Sequence, residues 1–141
     1  MIKNASAVWM GGIRDGAGTI STETGVLKSA PYGFKSRFED GPGTNPEELI
    51  GAAHAGCFSM ALAAILGEAG LTATRIETKA AVTLLKVDAG FAITASHLTV
   101  VASVPNATAA QFAELAGKAK AGCPVSKLMN ATITMQATLQ G

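Results

Sequence analysis

Charge is scarce in this chain. Only 15% of its 141 residues are Asp, Glu, Lys or Arg, against 48% hydrophobic ones. A small monomer is expected to carry a more highly charged surface than that, so the composition predicts an obligate oligomer. The 11 basic and 10 acidic residues leave a formal charge of +1 and form no run of one sign, which argues against nucleic acid or an anionic membrane as a partner. Residues 1–12 lack the basic-then-apolar layout of a signal peptide, and no apolar segment is expected to approach the ~18 to 20 residues of a membrane span. The expectation is a cytoplasmic protein. Cysteine is nearly missing, with two residues; in a reducing cytosol these read as core residues or reactive thiols rather than as a structural disulfide. Internal repeats and low-complexity segments are absent too.

What is present centres on residues 46–69. Asn45 is a good N-cap, Pro46 suits the first helical position, and Glu48 stands three residues after the cap to close a capping box. The stretch is poor in polar groups until Glu68, and Gly70 ends it in the left-handed conformation that stops helices. A helix apolar nearly all round is expected to be buried. It is also long: about 36 Å, against a radius of gyration near 14 Å for ~140 residues. One domain spanning 1–141 can bury a core without disulfide or metal, yet something outside the monomer is expected to cover this helix.

Around it, residues 2–10 and 18–27 read as a strand pair, and 31–38 as a third short strand or ordered loop leading through a Gly- and Pro-rich loop to the cap. After Gly70, residues 74–87 alternate, with Ile76, Ala80, Val82 and Leu84 facing one way. Asp88 to Gly90 turn the chain, and 91–104 return as the partner strand of a long hairpin. Thr108 with Gln111 opens a second helix that closes at Gly122. Pro124 starts a short helix over 125–130 with Cys123 as its cap, and 131–139 alternates as a last strand. This order predicts an α+β fold, mostly antiparallel sheet around buried helices.

Few residues here are equipped for chemistry. Cys57 lies mid-helix, where no N-terminal dipole lowers its pKa, so it is either a packing residue or a nucleophile that needs an imported cation. Arg37, one of only three arginines, lies in the segment running into the helix, and is otherwise a solvated residue. Glu47 and Glu48 suit the first helical turn; Glu48 is taken up by capping. Glu47 and Cys57 stand ten residues apart, about 15 Å along one helix, and cannot touch. Two copies of the helix crossing antiparallel near residue 52, where Gly51, Ala52, Ala53, Ala55 and Gly56 permit close approach, would bring each Glu47 to the other chain's Cys57. Cys123 at its helix cap faces unpaired N–H groups, which favour a thiolate. The two histidines, His54 and His97, with both cysteines complete the count for a Cys₂His₂ zinc site but lack its spacing. His97 is most simply a surface or satisfied core residue.

The runs Thr44 to Leu62 and Ala119-Lys-Ala-Gly-Cys123-Pro-Val-Ser126 closely resemble the osmotically inducible protein C (OsmC) family, relatives of the organic hydroperoxide resistance proteins. The likeness extends to Ser21-Thr-Glu-Thr-Gly-Val-Leu27, Pro31-Tyr-Gly-Phe34 and Val87-Asp-Ala-Gly-Phe-Ala-Ile-Thr94. Pro-Tyr-Gly-Phe with an arginine just after it is more similar to the OsmC branch. The resemblance implies an intertwined homodimer and a thiol peroxidase of oxidative and osmotic stress that prefers organic hydroperoxides. By motif position Cys57 is the peroxidatic cysteine, Cys123 the resolving one, and Arg37 with Glu47 the pair that activates the thiolate. It also implies no bound cofactor and an external dithiol reductant of lipoyl type. Apolar neighbours such as Phe58 and Met60 are expected to favour an alkyl tail. The rival reading is a non-catalytic dimer, binding a small apolar ligand or structural, with its cysteines as packing.

Overall fold

A computed structural model describes all residues 1–141. The chain divides into two units, Met1–Leu49 and Ile50–Gly141. In the first unit, β1 (Ala5–Met10), β2 (Ala17–Thr22) and β3 (Ala30–Tyr32) form an antiparallel sheet in that order. Every residue of β1 is exposed, including Val8 at 58% and Met10 at 69%. The Trp9 and Tyr32 rings pack 5.5 Å apart over Gly18, and a Cβ there would collide with both. β2 is shorter than the expected 18–27. Beyond Thr22 the chain folds back on itself, with the Leu27 N–H donating to Thr22 Oγ1 at 3.0 Å, so the run to Leu27 is a tight loop.

Of residues 31–38, the first two belong to the short third strand β3, and the rest depart from the expected strand or loop. After β3 they form α1 (Phe34–Phe38), a single helical turn. Ser36 Oγ accepts from the Gly33 N–H at 2.9 Å and lies 2.8 Å from the Thr44 carbonyl. The rings of Phe34 and Phe38, one turn apart, pack at 5.0 Å. Local side-chain contacts of this kind carry no alternation signal.

The long helix α2 (Pro46–Glu68) is continuous. Asn45 Oδ1 accepts from the Glu48 N–H at 2.8 Å, but Glu48 accepts from the Thr44 hydroxyl at 2.8 Å rather than reaching back to the cap N–H. Its far end is a full Schellman closure: Gly70 has φ 74°, and the Gly70 and Leu71 N–H groups donate to the Gly67 and Leu66 carbonyls.

The second unit is a sheet with helices on it. β4 (Arg75–Val87) and β5 (Gly90–Ser103) form the expected long hairpin, and β6 (Thr132–Leu139) pairs with β5 in parallel. This sheet is therefore mixed. The hairpin turn contains two residues, Asp88 and Ala89, because Gly90 already pairs with Val87. Thr108 caps α3 (Ala109–Gly122), accepting from the Gln111 N–H at 3.1 Å. Cys123 then caps α4 (Pro124–Leu128). On this sheet α2 lays Phe58, Leu62 and Leu66, which join Leu98, Val100 and Phe112 in one core.

Burial of α2 within the chain is one-sided. Within the chain only one stripe is buried, Glu47, Gly51, His54, Phe58, Leu62 and Leu66; Ala52, Ala53, Gly56, Met60, Ala63 and Ala64 are exposed. A sheet covers one side of a helix, and the sequence of α2 is apolar on the other side as well. Gly51 faces its own sheet, 3.3 Å from the Ala80 carbonyl at the Cβ position, so it is not part of the free small-residue face. Contrary to expectation, α2 also meets the length and composition of a membrane-crossing helix. Its side chains are engaged as in a core helix: Phe58 is fully buried and Ser59 Oγ lies 2.8 Å from Thr78 Oγ1 on β4.

Phe58→Ala is expected to lower the unfolding free energy by about 3–5 kcal/mol, read as a shift of the urea midpoint at unchanged slope. A loss under about 1 kcal/mol would contradict its place in the core.

Candidate functional site

Two clusters contain the residues singled out from the sequence, one in each unit. In Met1–Leu49, α1 aims Arg37 at the first turn of α2. Its Nη2 donates to Glu47 Oε1 at 2.8 Å, and its Nε faces both carboxylate oxygens at 3.2 and 3.3 Å. Glu47 is nearly buried, with its side chain 11% exposed against 36% for Arg37. The guanidinium also lies 5.3 Å over the Phe38 ring, and Asn45 Nδ2 ties α1 to the cap through the Ser36 carbonyl at 3.0 Å. Bidentate contact fixes the plane of the guanidinium while leaving part of it free. This is a pre-aimed cation.

In Ile50–Gly141 the two cysteines meet. Both are free thiols; Cys57 on α2 is half-buried and Cys123 at the start of α4 is fully buried. Burial raises the pKa of Cys57, and a weak hydrogen bond to Cys123 raises it further, against a smaller opposing effect of the Val125 N–H. Burial also opposes ionisation of Cys123, but the Cys57 thiol, the Val125 and Ser126 N–H groups and the Ser126 hydroxyl all act on its sulfur and bring its pKa below the ordinary value. Cys123 makes no cap hydrogen bond of ordinary geometry; the N–H groups at the start of α4 favour its thiolate by their direction. In this unit Cys123 is the more acidic thiol, and no Lys or Arg of the unit acts on either sulfur.

Beside the thiols is a buried polar chain that residue spacing did not reveal. His54, fully buried, has Nδ1 2.8 Å from Ser96 Oγ on β5 and Nε2 2.8 Å from Ser126 Oγ on α4. Burial lowers its pKa, so the ring is neutral near pH 7. Two signals were there to find it: Ser96 in alternating register with the inward-facing Leu98, Val100 and Ala102 of β5, and Ser126 one helical turn after Cys123. His97 is exposed on the opposite face of β5 and meets Thr134. The Cys₂His₂ set is therefore not assembled, since both His54 nitrogens are taken by serines.

An apolar hollow of ≈ 340 Å³ is lined by Ile50, Ala53, Ile93, Val125, Leu128 and Met129 among others; Ala53 stands one helical turn before Cys57, and the Val125 N–H acts on the Cys57 sulfur. Phe58, expected among the apolar neighbours of a substrate tail, points into the core instead, because the sheet takes that stripe of α2. Met60 is 77% exposed.

Residues 39–138 match the family model described as OsmC-like protein. The chain is 57% identical to Peroxiredoxin OsmC of Escherichia coli (strain K12) over 138 residues, 98% of this chain and 96% of that protein. It is 30% identical to the organic hydroperoxide resistance protein OhrB of Bacillus subtilis (strain 168) over 126 residues, 88% of this chain and 90% of that one. The crystal structure of OhrB superposes with a TM-score of 0.68 at 26% identity, covering 97% of this chain and 98% of that chain.

The depressed pKa of His54 makes stability depend on pH. The unfolded chain, with a histidine near 6.5, binds the proton more readily than the folded one. The stabilising effect of the buried neutral ring is thus complete above about 6.5 and lost as pH falls through the folded-state pKa. Wild type is expected to lose more stability than His54→Gln between about pH 7 and pH 5, measured by urea unfolding of both; parallel losses would contradict it.

Proposed function

Because the chain belongs to the OsmC-like protein family, we propose that it is a cysteine-based peroxidase reducing organic hydroperoxides to alcohols, with Cys57 as the peroxidatic and Cys123 as the resolving residue. The observation that carries this reading is the thiol pair itself: two free, facing sulfurs of which only Cys57 is accessible to a solute. Exposure assigns the roles. A fully buried Cys123 meets no peroxide, whereas a half-buried Cys57 does. The relatives named for peroxiredoxin and hydroperoxide resistance activity support the same chemistry.

The chemistry runs in three exchanges. The Cys57 thiolate attacks the terminal peroxide oxygen, the O–O bond breaks, and the alkoxide leaves as alcohol with the proton given up by the thiol; Cys57 becomes a sulfenic acid. Cys123 then attacks that sulfur, forming the disulfide and releasing water. An external dithiol of lipoyl type returns both thiols by exchange. No prosthetic group enters any step. The alkyl tail of the substrate sits on the apolar hollow lined by Ala53, Ile93 and Val125, one helical turn from Cys57.

Cys57 needs a cation to ionise, because burial and Cys123 both hold its proton in place. Arg37, oriented by Glu47, supplies it from a second copy: the 141 residues act as one OsmC-like domain, and two such chains intertwine as a homodimer. The exposed face of α2, Ala52, Ala53, Gly56 and Met60, supports this pairing, as do the apolar side chains of β1. Small residues allow two α2 helices to cross closely, and each Arg37–Glu47 pair then approaches the partner's Cys57. A guanidinium beside that sulfur reverses the acidity order of the two thiols, leaving Cys57 ionised and Cys123 protonated until attack. Glu47 orients the cation rather than accepting a proton. The protein works in the cytoplasm, in oxidative and osmotic stress defence.

Cys57→Ser is expected to abolish dithiol-dependent consumption of cumene hydroperoxide, whereas Cys123→Ser reduces one equivalent and stops. Equal turnover by wild type and Cys57→Ser would refute the assignment. The specificity constant is expected to favour cumene or tert-butyl hydroperoxide over hydrogen peroxide, and the reverse order would exclude an apolar tail site. Light scattering is expected to give the mass of two chains.

A further inference from the structure

The buried chain Ser96–His54–Ser126 is not used by the chemistry above, yet it ends on the sulfur that closes the disulfide. His54 lies one helical turn before Cys57 on α2 and spans to β5 and α4 with two 2.8 Å contacts. Ser126 faces the Cys123 sulfur with its hydroxyl and its N–H. Its hydroxyl thus stands between the imidazole Nε2 and the sulfur. A hydroxyl has one proton to give and two lone pairs to receive with. If that proton points at a Cys123 thiolate, Ser126 Oγ accepts from Nε2–H, and Nδ1, left as the acceptor, takes the Ser96 hydroxyl. Every donor and acceptor is then satisfied in one direction, ending on the sulfur, and the ring stays neutral as its burial requires. The ionisable groups gathered there are His54 and Cys57 from α2 and Cys123 itself; β5 contributes the uncharged Ser96.

We propose that His54 is a positioning residue for disulfide closure: acting through Ser126, it holds Cys123 in orientation and, once Cys57 is oxidised, supports its thiolate for attack on that sulfur. This rests on the peroxidase reading for its step, though not for its geometry. In that step the Cys123 thiolate forms the S–S bond, the S–O bond of the sulfenic acid breaks, and the departing hydroxide takes up the proton that the Cys123 thiol had released, leaving as water. Cys123 is oxidised and Cys57 reduced. Anchoring α4 to β5 through one imidazole also fixes where that sulfur stands.

A merely structural histidine would change stability but leave the Cys123 thiol unaltered. In Cys57→Ser, where Cys123 is the sole thiol, the pH profile of its ultraviolet thiolate absorbance, which needs no reagent to reach the buried sulfur, is expected to move up by about one unit when Ser126→Ala is added, a tenfold loss of thiolate. Ser126→Thr, which keeps the hydroxyl, is expected to restore it. In the two-cysteine protein, single-turnover oxidation by one equivalent of cumene hydroperoxide is expected to show disulfide closure slowed about tenfold in both His54→Gln and Ser126→Ala, with sulfenic acid accumulating to capture by dimedone. An unmoved profile together with wild-type closure in folded Ser126→Ala would overturn the proposal, even if His54→Gln does not fold. A shifted profile in a protein whose wild type consumes no hydroperoxide supports the hold on Cys123 and sinks the peroxidase reading instead.

Discussion

An apolar helix with a sheet on only one of its sides is the constraint from which the rest follows. α2 commits one stripe, Phe58, Leu62 and Leu66, to the core shared with β5 and α3. Hydrophobic burial is non-directional, so it rewards any apolar surface that covers a helix. The stripe that the sheet leaves open is as apolar as the one it covers. The residual polar groups of the helix sit where the sheet can satisfy them, His54 against Ser96 and Ser59 against Thr78. Cys57 falls on the border between covered and open faces. That border position gives it both a route to solvent and a partner thiol beneath it.

The second organising effect is electrostatic. Within its own unit the thiol pair is polarised toward Cys123: the start of α4 directs two N–H groups and a hydroxyl at that sulfur, while Cys57 serves as donor. The first unit holds its own oriented cation in the Arg37–Glu47 pair. One carboxylate, nearly buried, holds a guanidinium whose remaining donors are free. A charge so oriented acts strongly in a poorly solvated site.

Much of this was legible in the residues. The Asn45 cap, the Gly70 stop, the long hairpin and the Thr108 cap stand where local chemistry places them, because each depends on contacts within a few positions. The short helix of Phe34 to Phe38 was not legible, since one turn held by Ser36 and two rings produces no periodic pattern. Nor was the end of β2, where Thr-rich sequence reads as strand but folds into a loop closed by Thr22 itself. The parallel pairing of β6 escaped as well. Alternation tells which residues face the core but is blind to strand direction.

By itself the sequence determined the helix that carries Cys57, the cap that carries Cys123, the ion-pair partners Arg37 and Glu47 as individual residues, and the family to which the chain belongs. Those are properties of neighbours and of motifs. Tertiary structure alone decided that the two sulfurs face each other across 66 positions of chain, that Phe58 turns inward into the core, and that His54 is locked between two serines from other elements. Acidity is the clearest case. It depends on which dipoles point at a sulfur, and that is settled only when helix, strand and cap have been packed together.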